Sequence, residues 1–501
     1  MAITPKDQDS SAWYNDIVQQ ADLAENSVVK GCMVIKPYGY AIWENIRDIL
    51  DKMIKKTGHQ NAYFPLFIPK SFLSKEASHV EGFAKECWIV THHRLMNNPE
   101  GKGVVVDPES RLEEELIVRP TSETIIWNSF KDWIHSYRDL PLLINQWANV
   151  TRAEMRTRPF LRTSEFLRQE GHTAHATAEE AEAEARKMLN VYLDLVNHFI
   201  SMFAYSGPKP EHEKFAGAVH TYTLEPMMRD YKALQSGTSH NLGQNFAKAF
   251  GAQFTNQNNE LQYVYATSWG VTTRLIGGLV MSHSDDKGLV LPPAIAPLHL
   301  VIVPIAKTEE DLVKIKEYLA PELEKIEKSE FSIESDFLWK VGFPIKIKID
   351  DDPQKTPGRK YNEYEVKGVP LRIAIGMRDV EQGKIELFRR DTEEKILINK
   401  EEFASKTVEI LEDIQKSLFE KHEKFTREHT YEAETYEEFK EKIEKGYVLA
   451  HRDGTKETAE KIQEETKATI RCYDFNVEKV PWTCIYSWKP SIGKVIFAKS
   501  Y

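Results

Sequence analysis

The sequence has little cysteine. Its 501 residues contain four cysteines, and no two of them form a C-x-x-C pair. A disulfide framework is therefore excluded, and a structural zinc site is disfavoured. A reducing, cytoplasmic location is the simpler interpretation. The cysteines are Cys32, Cys87, Cys472 and Cys484.

A long apolar segment free of proline is also missing. Residues 289–306 have the length of a membrane span and carry no Asp, Glu, Lys or Arg, but they contain four prolines. Each interior proline costs a helix about 3 kcal/mol, so we expect a proline-rich linker that leads into a buried strand. The first residues are polar and acidic, which does not resemble a secretory signal.

Positive charge is not in excess. Lys and Arg number 66 against 77 Asp and Glu, for a net charge of −11. A chain of this charge is expected to avoid nonspecific contact with nucleic acid. The sequence also lacks G-x-x-x-x-G-K-[ST] and a G-x-G-x-x-G between a strand and a helix, which excludes two common nucleotide-binding loops.

What the chain does contain indicates about three domains. Amphipathic helices are predicted over 37–56 and about 178–204, and short strands fall over 61–69, 116–118, 143–150 and 262–266. Strands that occur in groups favour an α+β domain with helices on an antiparallel sheet. After the linker, strands and helices alternate to residue 421, which is typical of a small α/β domain with a mixed sheet. The predicted domains are 1–296, 297–400 and 401–501, the last a small α+β domain.

An arginine-rich segment spans residues 152–168. Five arginines against two acids give it a net charge of +3, and strand-like arms on either side of residues 156–159 indicate a hairpin. Arginine offers a rigid fork of donors that suits phosphate oxygens. A solvated charged strand face is the alternative. The charged residues are Arg152, Glu154, Arg156, Arg158, Arg162, Glu165 and Arg168.

Three further polar groups are candidates. Arg274 precedes Gly277 and Gly278, which suits either close approach of a ligand or a packed helix. Thr121, Ser122 and Glu123 end a strand-like run, and they suit either a helix cap or an acceptor for a cationic amine. Around Gly237 we expect a polar loop that carries binding groups. Its candidate residues are Gln235, Thr238 and His240.

Together these segments resemble the class II aminoacyl-tRNA synthetases. R-x-E followed by FLR, and the later G-x-T-T-R-x-x-G-G, resemble motifs 2 and 3 of that class, and NAYFPLF resembles motif 1. The blocks RPTSET, QEGHTAHAT, KFAGA, GTSHNLGQNF and GLVLPP, with the terminal Ser500–Tyr501, resemble the prolyl-tRNA synthetase family over residues 10 to 501. The resemblance implies a homodimer in the cytoplasm whose partners are L-proline and tRNA(Pro).

The resemblance also implies roles for particular residues. Proline would react with Mg²⁺–ATP to give prolyl-adenylate, which then acylates tRNA. Arg152 and Arg274 would be catalytic and would grip the phosphates. The implied nucleotide contacts are Arg152, Glu154, Arg162, Phe166, Gln235, Thr238, Thr272 and Arg274. The implied proline contacts are Thr121, Glu123, Arg152, His172, His240 and Phe83.

Departures from the family accompany these matches. Ala153 and Arg168 stand where the family usually has tryptophan, which leaves two alternatives open: another class II specificity, or a catalytically weakened RNA-binding protein. Relatives often hold zinc with four C-terminal cysteines, whereas only Cys472 and Cys484 occur here, so no zinc is expected. The H-x-x-H of His172 and His175 and the adjacent His92 and His93 are better explained as polar or surface histidines than as metal ligands. The roughly 100 residues between Arg168 and Gly270 leave little room for an editing insertion, which resembles the eukaryotic/archaeal-type branch.

The second domain is expected to read the anticodon. Residues 340–400 hold fourteen Lys or Arg and eleven Asp or Glu, whereas residues 401–442 hold seven and thirteen. Lys367 and Arg378 are the candidate tRNA contacts, although a solvated face of mixed charge explains the counts as well. The net charge of −11 then says nothing against a specific RNA partner, and tRNA binding is expected to weaken with salt.

Overall fold

Three sheets follow one another along the chain. The structure is a computed structural model, and it describes residues 2–73, 87–473, 475 and 482–501. The sheets have seven, five and four strands, and smaller sheets of two or three strands lie beside them. The first sheet and its helices position the candidate site.

The first part of the chain builds the seven-stranded sheet. The strands of this part are β1 (Ala24–Asn26), β2 (Met33–Ile35), β3 (Gln60–Asn61), β4 (Phe67–Pro69), β5 (Trp88–His92), β6 (Leu95–Asn97), β7 (Val104–Val106), β8 (Arg111–Val118), β9 (Leu142–Thr151), β10 (Glu165–His175), β11 (Ala204–Pro208), β12 (His220–Pro226), β13 (Gly237–Gly243), β14 (Gln253–Thr255), β15 (Leu261–Tyr263) and β16 (Tyr265–Thr272). The seven strands of the large sheet run in the order β11–β12–β13–β16–β10–β9–β3, and every neighbouring pair is antiparallel except β3 with β9.

One face of this sheet is covered by a helix, Ala178–Asp194. A capping box of Thr177 and Glu180 starts it. The Tyr192 hydroxyl donates to Gln169 Oε1 at 2.5 Å, and its ring lies 6.2 Å from that of Trp269. The opposite face of the sheet is not covered by this helix, and it carries the candidate site. The helices of this part are Ser10–Gln20, Pro37–Lys56, Lys70–Leu73, Glu123–Trp133, Ala178–Asp194, Asn245–Phe250 and Arg274–His283.

Three local predictions need correction. The expected strand over 61–69 is two short strands, β3 and β4, in different sheets, because the chain turns at Pro65. The helix predicted to reach residue 204 becomes a π-helical turn over Leu195–Phe199, and β11 starts at Ala204. The expected polar loop around Gly237 is strand β13, which lies inside the sheet. Both of its faces carry polar side chains, so the usual apolar alternation is missing. Thr238 and His240 border a cavity, and Ser239 and Asn241 hydrogen-bond to the helix Ala178–Asp194.

The second part is a mixed α/β layer, as predicted. β17 pairs in parallel with β20 and β21, and the remaining pairs are antiparallel in the order β20–β17–β21–β22–β23. The strands are β17 (Leu300–Ile305), β18 (Glu330–Ser335), β19 (Trp339–Pro344), β20 (Ile347–Ile349), β21 (Leu371–Gly376), β22 (Lys384–Arg389) and β23 (Lys395–Asn399), and the helices are Glu309–Glu327, Pro357–Val366, Met377–Gln382 and Phe403–Glu428. Among the described residues, no helix is both long and apolar enough to cross a bilayer.

The third part of the chain contacts the first part. Its sheet has the order β24–β25–β27–β26, and after its last strand Ser500 pairs with Ala233 of the first part. Arg471 and Glu225, both buried, form an ion pair at 2.9 Å between the two parts. The strands are β24 (Thr430–Ala433), β25 (Tyr447–Arg452), β26 (Thr469–Cys472) and β27 (Gly493–Ala498), and the helices are Tyr436–Lys442 and Lys456–Thr466. The expected fold class is confirmed, whereas the boundaries at residues 296 and 400 stay predictions.

Candidate functional site

The uncovered face of the large sheet is polar. Successive side chains of a strand point to opposite faces, so Phe166, Arg168, Glu170 and His172 of β10 share this one. In the strand register, Arg168 pairs with Thr272, Glu170 with Gly270, and His172 with Ser268. Thr238 and His240 of β13 pair with Gly270 and Ser268 on the other side of β16.

A cavity of about 580 Å³ opens on this face. Nine of the candidate residues line it, although they come from three separate stretches of sequence. The structure therefore brings together most of the predicted nucleotide site. These nine are Arg152, Glu154, Arg162, Phe166, Gln235, Thr238, His240, Thr272 and Arg274.

The loop between β9 and β10 is held by a charged contact. Arg162 Nε donates to Glu154 Oε2 at 2.6 Å, and the backbone N–H of Arg156 donates to Glu154 Oε1 at 3.2 Å. Burial opposes ionisation of Glu154, but these hydrogen bonds outweigh it and lower the pKa of the carboxyl. Glu154 is therefore an anion that positions the Arg162 guanidinium at the cavity.

Arg152 joins the cavity to the strand end at Pro120. Its guanidinium carbon lies 5.6 Å from the centre of the Phe166 ring, within cation–π range. Its Nε donates to the Pro120 carbonyl at 3.2 Å. The segment that carries Thr121 and Glu123 follows directly, so Arg152 stands between the two predicted subsites.

Arg274 begins the helix Arg274–His283. Its Nε donates to the Leu161 carbonyl at 3.0 Å and its Nη1 to the Gln235 carbonyl at 3.4 Å. Burial, followed by the nearby Arg162, lowers its pKa below the ordinary arginine value. Backbone carbonyls orient this guanidinium without neutralising its charge, which suits it to an anionic ligand.

The glycines after Arg274 serve packing. A Cβ on Gly277 would lie 2.6 Å from Leu161 Cδ2, and a Cβ on Gly278 would lie 2.9 Å from Leu234 Cδ2. Both glycines therefore let the helix approach the segments that carry Leu161 and Leu234. The sequence left two interpretations of this glycine pair, close approach of a ligand and a packed helix, and the packed helix accounts for these contacts.

The remaining predicted proline contacts lie deeper. Thr121, Glu123 and His172 are buried and do not line the cavity. The Thr121 hydroxyl donates to the Glu123 carboxylate. Ser122 precedes the helix Glu123–Trp133, but its side chain makes no capping hydrogen bond. The interpretation of Ser122 as the cap of this helix is therefore not supported. Phe83 lies outside the described residues.

His240 connects the deeper group to the cavity. Its Nδ1 lies 3.0 Å from Thr221 Oγ1, and its ring stacks on Phe215 with centroids 4.6 Å apart. Burial lowers the pKa of His240 to about 3, Glu123 opposes the shift, and Arg168 adds to it. His240 is thus neutral at pH 7 and close enough to Glu123 and Arg168 to feel their charges.

The two candidate tRNA contacts differ. Lys367 pairs with Asp22 at 3.4 Å and with Glu363 at 3.6 Å. Arg378 is exposed on the helix Met377–Gln382. Both stay predictions.

Among the described residues, neither histidine pair belongs to a group that could hold a metal ion. His172 and His175 lie on opposite faces of β10, and burial lowers the pKa of His175 to about 4. Within the described ranges, Asp194, His198 and Asp336 bring ligand atoms within 4.8 Å of one another. This group is distant in sequence from both histidine pairs.

Several cavity residues were not assigned a ligand by the sequence, among them Lys209, Phe215, Arg168 and Tyr501. Lys209 Nζ lies 3.6 Å from Glu213 Oε2, and burial raises the pKa of Glu213. The Tyr501 hydroxyl donates to Asp230 Oδ2 at 2.5 Å. The sequence features that pointed to these residues were the KFAGA block, which includes Phe215, and the terminal tyrosine. Neither feature by itself shows that its residues line a cavity.

Comparison with known proteins covers the whole chain. Three family models match: a class II core domain of tRNA synthetases (G, H, P, S and T) over residues 106–283, an anticodon-binding domain over 299–410, and the C-terminal domain of prolyl-tRNA synthetase over 436–501. The chain is 57% identical to a proline–tRNA ligase of Porphyromonas gingivalis over 500 residues, which are 100% of this chain and 99% of the relative. It is 55% identical to proline–tRNA ligases of Cytophaga hutchinsonii and Amoebophilus asiaticus, over 100% and 98% of this chain and 99% and 98% of the relatives. The chain therefore belongs to the prolyl-tRNA synthetase family.

Proposed function

We propose that this chain is a proline–tRNA ligase. It activates L-proline with ATP, transfers the prolyl group to tRNA(Pro), and releases AMP and diphosphate. The observation that carries the proposal is the cavity, where nine predicted residues meet in a chain similar to proline–tRNA ligases over its full length. The similarity does not favour the alternative of a catalytically weakened RNA-binding protein.

In the first step a proline carboxylate oxygen attacks the α-phosphorus of Mg²⁺–ATP, and the bond to diphosphate breaks. Arg152 and Arg274 supply positive charge for the phosphate oxygens, since both residues line the cavity. Phe166 offers a ring face for adenine, and Glu154 with Arg162, Gln235, Thr238 and Thr272 offers hydrogen bonds. Catalysis of this kind consists of positioning and charge stabilisation.

The amine of proline needs an acid partner once it leaves water. Thr121 and Glu123 form a hydrogen-bonded pair that can supply it. Neutral His240 and buried His172 offer further polar atoms on the same side of the sheet. In the second step a ribose hydroxyl at the end of tRNA(Pro) attacks the prolyl carbonyl and AMP leaves. This sequence requires no covalent bond to the protein.

The decisive experiment is amino-acid-dependent exchange of diphosphate into ATP. Exchange with proline, followed by charging of tRNA(Pro), is the expected result. Exchange with threonine or serine but not proline would indicate another class II specificity. Intact tRNA binding without any exchange would support the weakened protein instead.

A homodimer is part of the proposal. Exposed apolar side chains are concentrated in the motif 1-like segment and in the strands that follow it, and such concentrations mark protein interfaces. Sedimentation equilibrium should give twice the chain mass. A monomer that still exchanges diphosphate would contradict this point. The exposed residues are Tyr63, Phe67, Trp88, Ile89, Leu95, Met96, Val104, Val105 and Val106.

The mixed α/β layer is the proposed anticodon reader, as the matching anticodon-binding model supports. Arg378 is the better placed of the two candidates, because Lys367 is engaged in ion pairs. Exchanging Arg378 for Ala should weaken tRNA(Pro) binding and reduce its salt dependence by about one unit of slope. Diphosphate exchange with proline should not change. Equal tRNA affinity at all salt concentrations would remove Arg378 from the interface.

We also infer that the chain belongs to the eukaryotic/archaeal-type branch, that it acts in the cytoplasm and that it holds no structural zinc. Between Arg168 and Gly270 the chain forms strands of the large sheet and the helix packed on it, which leaves no separate editing module in that stretch. The enzyme should therefore fail to hydrolyse added alanyl-tRNA(Pro). Rapid hydrolysis would contradict the branch assignment.

A further inference from the structure

The hairpin of β1 and β2 ends in an exposed apolar tip, residues 27–31. Val28 is fully exposed and Val29 is 52% exposed, and Lys30 follows them on the surface. A single exposed valine is ordinary, but two adjacent ones at the end of a turn form a small apolar patch. The reaction proposed above makes no use of this tip.

Backbone hydrogen bonds hold the tip in this shape. The N–H of Ser27 donates to the Cys32 carbonyl at 3.1 Å, and the N–H of Cys32 donates to the Val29 carbonyl at 3.0 Å. The N–H of Val29 donates to the Ser27 hydroxyl at 3.2 Å. Gly31 closes the turn with a φ of 83°, in the left-handed region that favours glycine. A fixed backbone therefore presents the two valines to solvent.

The tip lies against the loop between β9 and β10. The N–H of Ser164 donates to the Gly31 carbonyl at 2.8 Å. A Cβ on Gly31 would collide with Ser164 Oγ and would lie 3.1 Å from Thr157 Cγ2. Arg156, next to Thr157, lines the cavity. The tip therefore adjoins the loop that borders the cavity, without lining the cavity itself.

The charges around the tip are mostly positive. Lys30 and Arg156 are exposed cations on the two sides of the contact between tip and loop. The exposed Glu25 of β1 is paired with Lys36 at 3.1 Å, and Glu165 at the start of β10 opposes the cations. Two cations against one acid, beside an apolar tip, suit a partner that is anionic and also offers apolar faces.

A single-stranded nucleic acid has both properties. Its phosphates carry negative charge, and its unpaired bases expose apolar faces that side chains can pack against. Apolar side chains are used against bases in this way in other nucleic-acid complexes. A stable protein interface buries about 1,200 Å² or more, which is far beyond the area of two valines. The tip therefore favours a nucleic acid over a second protein.

We propose that the tip, residues 27–31, binds the single-stranded 3′ end of tRNA(Pro). Val28 and Val29 pack against an unpaired base near that end, and Lys30 contacts a phosphate beside it. The inference rests on the proposed function, because the second step brings this end of the tRNA to the cavity that the neighbouring loop borders. Residues 27–31 lie outside the segments that resemble motifs 1, 2 and 3.

Charging and diphosphate exchange separate this surface from the catalytic site. Replacing both valines by serine removes the apolar patch and keeps the backbone hydrogen bonds of the turn. Aminoacylation of tRNA(Pro) should lose at least about fivefold in kcat/KM, because burial of one valine side chain accounts for about tenfold or more. Proline-dependent exchange, which involves no tRNA, should stay within about twofold. Unchanged charging would overturn the inference.

A shortened tRNA locates the contact. Filter binding compares tRNA(Pro) with a form that lacks the unpaired nucleotides of its 3′ end. The double valine variant should bind the full tRNA at least about fivefold more weakly than the unaltered protein does. Both proteins should bind the shortened tRNA equally. Equal losses for the two tRNA forms would place the tip on another part of the tRNA and would overturn the inference.

Two further variants complete the test. Lys30→Ala should reduce the salt dependence of binding to the full tRNA by about one unit of slope, and an unchanged slope would contradict the phosphate contact. Leu261→Ser, at an exposed apolar residue of β15, is the matched control and should change neither charging nor exchange. A changed sedimentation mass of the double valine variant would assign the tip to a contact between two copies of the chain and overturn the inference. Failure of the unaltered protein to exchange with proline would instead overturn the proposed function.

Discussion

At the scale of single residues, Arg274 offers the sharpest test of the site. Replacing it by Ala removes a cation that two backbone carbonyls orient toward the cavity. Loss of one preorganised charge of this kind costs about 10²–10³ in rate, so proline-dependent diphosphate exchange should fall by at least that factor. Steady-state exchange kinetics give the measurement.

The tRNA provides the internal control for this variant. Arg274 lines the cavity on the large sheet and lies outside the segment that matches the anticodon-binding domain, so the affinity of Arg274→Ala for tRNA(Pro), measured by filter binding, should stay within about twofold of the unaltered protein. Comparable losses of exchange and tRNA affinity would show that Arg274 has been misplaced.

Residue types alone predicted the cavity only in part. The resemblance to the class II synthetases brought Arg152, Phe166 and Arg274 into one candidate site, whereas the residues by themselves indicated only an arginine-rich hairpin and an arginine before two glycines. The direction of Arg168 was not predictable, because it depends on Gly270, which lies about 100 residues away in the sequence and meets it only through strand register. The pairing of Thr121 with Glu123 likewise became visible only with coordinates.

At the scale of elements, periodic segments were predicted well. The helix Pro37–Lys56 has the expected bounds, because it buries a continuous apolar stripe. Strand β13 was missed for the opposite reason. Its Thr238 and His240 face a polar cavity, so its sequence looks like a loop although its backbone is fully paired within the sheet.

The helix Arg274–His283 carries an element-scale prediction. A Cβ on Gly277 would approach Leu161 Cδ2 to 2.6 Å, so Gly277→Ala should force the helix away from the loop that carries Leu161. Overpacking of this kind costs about 1–3 kcal/mol, which urea unfolding should show as a lower midpoint. Gly358, in the helix Pro357–Val366, is the matched control, since nothing lies within 4 Å of its added Cβ. Equal stability of both variants would refute the packing role of Gly277.

At the scale of the whole molecule, the last residue reaches the first domain. Tyr501 lines the cavity, and Lys232 Nζ lies 5.3 Å from its ring. Removing Tyr501 should lower proline-dependent exchange by about 10²-fold or less, since small misplacements of positioning groups have effects of that size. Tyr501→Phe keeps the ring and loses only the hydrogen bonds of the hydroxyl to Asp230 and Met281, so it should retain most activity. Full activity after deletion would exclude a role for the C-terminal residue.

Buried histidines make the stability of the whole molecule depend on pH. Burial lowers the pKa of His299 to about 3 and of His422 to about 4. His422 Nδ1 accepts from the Phe203 N–H at 3.0 Å, and its Nε2 lies 3.0 Å from the Met227 carbonyl, an arrangement that requires a neutral ring. The unfolded chain, with histidine pKa values near 6.5, takes up protons first as the pH falls.

Because the folded pKa values are depressed, these histidines stabilise the fold fully above about pH 6.5 and progressively less between that value and about pH 4. As the pH falls from about 7.5 to about 5.5, a range above the pKa of most carboxylates, each of these histidines should lower the free energy of unfolding by about 1 kcal/mol. Urea unfolding at both values gives the slope. His422→Asn should reduce the difference between the two unfolding free energies by the contribution of one histidine, about 1 kcal/mol. An unfolding free energy that is equal at the two pH values would show that the buried rings are protonated in the folded protein.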